Sequence, residues 1–170
     1  MTFTARTLMG LHRYEEARPL LARSLPIAIE EKWLAFRPLV EILLLELDRL
    51  QGRPSVQILA DLELVFAGCC QRADPCWEGL AARGIGLTYE GEADSATAYR
   101  WLNNAVDRCT RVTDTWMWVE AWVLEREVEL ATLHGHTDHA RMKGQQLLHH
   151  SATKQLDYHA DLARDLLSSL

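Results

Sequence analysis

The sequence predicts an all-α chain, a right-handed α-solenoid of antiparallel helical hairpins with seven to nine helices, on three observations. Gly10, Gly52, Gly91 and Gly135 recur at separations of 42, 39 and 44 residues, each between two segments with apolar residues at helical spacing. The β-branched residues fall inside those helical patterns and not in alternation, so no strand is expected. A single hairpin cannot bury both of its faces, so neighbouring hairpins must stack.

Glycine is the natural residue just past a helix end, where φ turns positive, so each of the four is expected to mark the tight turn inside a hairpin. The residues before them keep a weak register. Leu50, Tyr89 and Leu133 stand two positions upstream, and Leu47, Gly86 and Leu130 stand five upstream. Val40, Gly79 and Val123 stand twelve upstream, and Trp33 and Trp116 nineteen.

Taken in order, a short helix precedes Gly10; only nine residues come before that glycine, so the first hairpin is expected to be truncated, as in a fragment of a longer protein. A second helix starts near Tyr14, with Pro26 bending or ending it. A third runs from about Ile29 to Gln51 and is kinked at Pro38. Its Leu39 to Leu47 stretch is apolar almost all round, which predicts a central position touched from both sides. Pro54 suits the first turn of a fourth helix reaching Gln71. Asp74-Pro75 opens the fifth, with Asp as cap and Pro preset for the first turn. Gly79, Gly84 and Gly86 inside it cost about 1 kcal/mol each relative to Ala, which predicts close helix packing at those points. Asp94 or Ser95 caps the sixth helix, Asp114 or Thr115 the seventh, and Thr137 and Thr153 open two more. The length suits one domain over residues 1–170.

Composition bounds the function. The formal net charge of −6 and the lack of any Lys/Arg-rich run argue against nucleic acid as a direct partner. The N-terminal residues carry no secretory apolar run, and the Leu39–Leu47 segment is too short to span a bilayer and holds Glu41 and Glu46, so no membrane partner is expected. Cys69, Cys70, Cys76 and Cys109 match no zinc spacing and read as reduced, buried thiols of a cytoplasmic protein. No cofactor is expected, because there is no G-x-x-x-x-G-K-[ST] loop.

Leu11-His-Arg-Tyr-Glu-Glu-Ala-Arg-Pro-Leu-Leu21 resembles the second-helix opening of the tetratricopeptide repeat, with Tyr14 and Ala17 at fitting places, although the period exceeds that repeat's. A second resemblance is carried by Asp74-Pro-Cys-Trp-Glu-Gly-Leu-Ala-Ala-Arg-Gly84, Arg100-Trp-Leu102, Asp114-Thr-Trp-Met-Trp-Val-Glu-Ala-Trp-Val-Leu124 and Leu133-His-Gly-His136. These are similar to the helical-repeat region of large multidomain bacterial ATPase regulators of the LuxR and antibiotic-regulator type. The resemblance covers about Asp74 to Leu148. It implies a sensor or protein-binding arm of a transcriptional regulator, and it does not carry over the nucleotide-binding or DNA-binding parts.

Three sets of residues are candidates for a site. Trp118 and Trp122 are four apart and share a helix face that Glu125 and Glu129 continue. With Trp77 and Arg83 they predict a groove for a protein or peptide, on the expectation that the first helices of the hairpins, which would carry Trp33, Trp77, Trp116, Trp118 and Trp122, line the concave surface. Trp33 and Trp116 are expected in the core. His134, His136 and His139 surround the turn at Gly135; they read as polar turn residues, with a metal site as the weaker alternative. The carboxylates Glu15, Glu16, Glu30, Glu31, Glu125, Glu127 and Glu129 read as a solvated helix face and not as an acid/base pair, and no serine has a nucleophile-elbow context, so no enzymatic activity is expected. The function predicted is a protein- or peptide-binding scaffold or regulatory module. The alternative is a small-ligand sensor with an inner cavity. Self-association into a homodimer through leftover apolar end faces is the further partner expectation.

Overall fold

The computed structural model describes residues 1–111 and 117–170. Among them the chain forms nine α-helices and no strand. They are α1 (Thr2–Gly10), α2 (Tyr14–Glu30), α3 (Arg37–Leu50), α4 (Ser55–Gln71), α5 (Pro75–Gly91), α6 (Ser95–Cys109), α7 (Met117–Leu133), α8 (Thr137–Thr153) and α9 (Asp157–Ser168). The expected caps Asp114 and Thr115, and Trp116, lie outside the described residues.

Each helix packs against the next in the chain, and the odd-numbered helices also pack on one another in series, α1 on α3, α3 on α5, α5 on α7 and α7 on α9. Among the described residues the even-numbered helices make no such mutual contacts. α3 therefore has four neighbours, and seven of its residues, including Leu39, Leu43 and Leu47, are buried, as its all-round apolar pattern predicts.

The turns correct the glycine register. The residues with positive φ after α1, α3, α5 and α7 are His12, Gly52, Ala93 and Gly135, separated by 40, 41 and 42 residues. Gly10 and Gly91 are the last residues of their helices, and no positive φ is found there. At each turn the N–H following the left-handed residue closes the helix end by donating five residues back: Arg13 to Leu8 (2.8 Å), Arg53 to Asp48 (2.9 Å), Asp94 to Tyr89 (3.0 Å) and His136 to Ala131 (2.8 Å). This pattern satisfies carbonyls that a helix end would otherwise leave orphaned, which offsets the cost of placing His12 and Ala93 at left-handed φ.

Prolines also act differently from expectation. α2 runs through Pro19 and Pro26, because Ala17, Leu21, Ser24 and Ala28 form one buried stripe on both sides of them. Pro38 lies in the first turn of α3, where its missing N–H costs nothing, and so does not kink it. The preceding residues 31–36 form a connection, so Trp33 is not on a helix; it is 55% exposed and not in the core. Thr153 ends α8, and α9 begins at Asp157.

The glycines inside α5 are packing residues, as predicted. A Cβ on Gly79 would stand 2.5 Å from Cys109 Sγ and 3.1 Å from the Ala105 carbonyl oxygen, and one on Gly86 would stand 3.2 Å from the Ala98 carbonyl oxygen, so both mark the contact with α6. Gly84 faces Leu62 of α4 at 3.1 Å. Asp94 caps α6 by accepting from the Thr97 N–H at 3.1 Å. Cys69, Cys76 and Cys109 are buried, whereas Cys70 is exposed.

Candidate binding groove

The odd-numbered helices share one face, and on it lies a groove of about 830 Å³. Arg6 comes to it from α1, Glu46 and Arg49 from α3, Arg83 from α5, Trp122, Glu125, Arg126 and Glu129 from α7, and Tyr158 and His159 from α9. The register of the turns explains why the arginines converge. Arg49, Arg6, Arg126 and Arg83 stand three, six, nine and ten residues before the left-handed residues Gly52, His12, Gly135 and Ala93. Those offsets follow one helical stripe, so each helix turns its arginine the same way.

An aromatic ladder supports the groove floor. Phe36 stands 6.4 Å from Trp77, Trp77 stands 6.5 Å from Trp118, and Trp118 stands 6.2 Å from Trp122, between ring centroids. Trp77 is 2% exposed and belongs to the core, which corrects its expected place in the groove. The residue fills the space between packed helices, where a ring of this size contributes most by burial. Trp118 is half-buried and sits behind the lining, edge-on to Phe3 at 6.3 Å. Trp122 alone of the three lines the groove. Two guanidinium groups lie against its ring, Arg83 at 4.0 Å and Arg6 at 4.4 Å, and Arg6 is also 4.5 Å from Trp118.

Charges in the groove are unevenly paired. Arg83, 5% exposed, reaches Glu46 with one nitrogen at 3.3 Å, while its Nε is buried without a hydrogen bond. Arg126 bonds Glu90 at 2.5 Å and Glu129 at 2.6 Å. Glu125 is 3.3 Å from Nδ1 of His159, in ion-pair distance but out of line for a hydrogen bond. Arg6 and Arg49 make no ion pair or hydrogen bond among the described residues, and Arg6 Nε is buried. Burial lowers the basicity of both, Arg6 with the added repulsion of Arg83, and Arg49 with that of Arg83 and Arg126. Burial works against the charge of Arg126 too, but its hydrogen bonds to Glu90 and Glu129 outweigh that and raise its pKa. Of the expected site residues, then, Trp122, Glu125 and Arg83 are brought together and Trp118 supports them. Sequence reasoning missed Arg6, Arg49, Arg126 and Glu46. Their signal is the arginine stripe, which appears only when the register is counted from the turns.

The acidic face of α7 is not solvated as a whole. Glu127 is 0% exposed between α7 and α8, with Lys143 Nζ 3.1 Å from Oε2 and His139 Nε2 3.2 Å from Oε1. Lys143 donates to Asn103 Oδ1 at 2.9 Å, so its contact with Glu127 Oε2 is an ion pair out of line for a hydrogen bond, while the other carboxylate oxygen is hydrogen-bonded with His139. The histidines around Gly135 gather on Tyr99, with ring centroids 6.5 Å away for His134, 5.6 Å for His136 and 5.5 Å for His139. His134 shares a hydrogen bond with Ser95 Oγ at 3.1 Å, and His139 is engaged by Glu127. Among the described residues no three His, Cys, Asp or Glu side chains are grouped to hold a metal ion. The geometry does not unite His134, His136 and His139 as ligands, because two of the three already have other partners.

No helix among the described residues is long and apolar enough to cross a membrane. No protein-family model and no curated protein matches the chain.

Proposed function

We propose that the chain is a binding and regulatory scaffold, an α-solenoid of the tetratricopeptide-like kind that takes a polypeptide segment in the groove of its odd-numbered helices. The observation that carries this reading is that groove. The five odd-numbered helices and the start of α2 contribute side chains to it, and those side chains combine Trp122 and two tyrosines with arginines and carboxylates. Protein interfaces favour such a mixture, because Trp and Arg supply most of the binding energy per residue. The resemblance of residues 74–148 to the arms of multidomain bacterial regulators supports a cytoplasmic, regulatory setting for the same activity.

The test is selection of displayed random octapeptides on the folded protein. The selected peptides should quench or shift Trp122 fluorescence and should lose affinity for Trp122→Ala at least about tenfold, while the helical circular dichroism of that variant is unchanged. Peptides that bind Trp122→Ala as tightly as the parent would refute the groove as their site. If thermal-shift screening instead finds a metabolite that stabilises the chain through Trp122 and no peptide is selected, the sensor reading replaces this one.

A further inference from the structure

Resting on the groove reading above, we infer that the segment the groove takes is acidic, with side-chain carboxylates seated against Arg6 and Arg49.

The inference comes from how the groove's charges are distributed. Every carboxylate in its lining already has a basic side chain within ion-pair distance: Glu46 has Arg83, Glu125 has His159 and Glu129 has Arg126. Arg126 is further shared with Glu90. At the α1 and α3 side the situation is reversed. Arg6 and Arg49 line the groove, both are held partly out of water, and neither has a carboxylate within ion-pair distance among the described residues. Glu46 and Glu125 attract Arg6 only from beyond that distance. Guanidinium groups withdrawn from water without a partner are costly, and a carboxylate is the complement their fork geometry fits.

Position supports the same chemistry. The Arg6 guanidinium carbon lies 4.5 Å from the centroid of the Trp118 ring and 4.4 Å from that of Trp122, which places its charge beside the groove's apolar ring. Arg83, which sits on the other helix facing Trp122, has a buried Nε without a hydrogen bond. The groove thus gathers guanidinium groups from α1, α3 and α5 beside an apolar ring, in a chain whose formal net charge of −6 would otherwise repel an acidic partner. Repulsion from a net-acidic surface predicts that the affinity of such a segment depends strongly on the groove arginines.

The experiment uses the octapeptides selected on the full chain. Asp and Glu should be enriched over the unselected library, and a synthetic peptide made from the strongest sequence should bind about tenfold more weakly to Arg49→Gln and to Arg6→Gln. Arg49→Lys should recover part of that loss, since it keeps the charge and gives up the fork. Binding of the synthetic peptide should weaken as salt is raised. Peptides that depend on Trp122 but show no acidic enrichment, or that bind Arg49→Gln and Arg6→Gln unchanged, overturn the inference and leave the groove reading standing. Absence of any peptide that depends on Trp122 overturns both. Circular dichroism of each variant separates loss of a contact from loss of the fold.

Discussion

Replacing Gly79 with alanine should loosen the packing of α5 on α6. An alanine in a helix interior is favoured over glycine by about 1 kcal/mol, so a substitution into open space would stabilise the chain. At Gly79 the added Cβ would stand 2.5 Å from Cys109 Sγ and 3.1 Å from the Ala105 carbonyl oxygen. The sulfur can rotate, but the carbonyl belongs to the backbone of α6, so the two helices must part. Overpacking of a close-packed interior costs roughly 1–3 kcal/mol, and set against the gain in helix propensity this leaves Gly79→Ala less stable than the parent by about 1 kcal/mol. For a chain of this size that is a fall in Tm of about 2–4 °C. Two controls use the same helix. At Gly84 the nearest atoms are the Leu62 side-chain carbons at 3.1 and 3.3 Å, which can shift, so Gly84→Ala should be close to neutral. Around Gly91 nothing lies within 4 Å and its φ is not positive, so Gly91→Ala should gain up to about 0.5 kcal/mol. Urea unfolding followed by circular dichroism measures all three. Gly79→Ala at or above parent stability, or Gly84→Ala falling as far as Gly79→Ala, would refute the argument that a backbone atom decides the cost.

Three further outcomes follow from other parts of the fold. Glu127→Gln should cost about 3 kcal/mol in urea unfolding because it strips Lys143 of its buried counter-charge, whereas the pair Glu127→Leu with Lys143→Met should recover most of that loss. Iodoacetamide at neutral pH should label the native chain at Cys70 and spare Cys69, whose thiol burial pushes up to about 12, and Cys109, which burial also raises; peptide mass spectrometry locates the adduct, and labelling of Cys69 or Cys109 ahead of Cys70 would contradict it. Hydrogen bonds from the Thr97 side chain and N–H hold Asp94 below the ordinary carboxylate range, so its contribution to stability is present above about pH 4 and is lost as pH falls through the lowered value; Asp94→Ala should be less stable than the parent at pH 7, with the gap closing in acid, and a gap unchanged by acid would contradict the cap.

Helix identity and much of the local chemistry are readable from the residues alone. Asp94 is a cap because a short carboxylate before a helix can reach the first free N–H groups whatever surrounds it. The cluster of glycines in α5 signals close approach because three such costs in one helix need a packing return. α3 is central because an all-round apolar helix has no face to show water. Trp33 was misplaced because helical periodicity does not see where a chain leaves the helix; the break after Glu30 is set by the left-handed Lys32, a residue with no preference for that conformation. Glu125, Glu127 and Glu129 look alike in sequence, yet Glu127 is buried and the other two line the groove. What separates them is Lys143 and His139, which arrive from α8.

By itself the sequence determined that this chain is helical, where most helices start, and which glycines must touch a neighbour, because these follow from interactions within a few turns. Only the tertiary structure decided the true repeat, counted from His12, Gly52, Ala93 and Gly135, and with it the convergence of Arg6, Arg49, Arg83 and Arg126 on one groove. Two of the four turn positions are not glycine, since a capped helix end can carry a left-handed residue of another type once its hydrogen bonds are made. A register kept by backbone geometry and not by residue type leaves little trace in the sequence, and a site assembled across six helices inherits that silence.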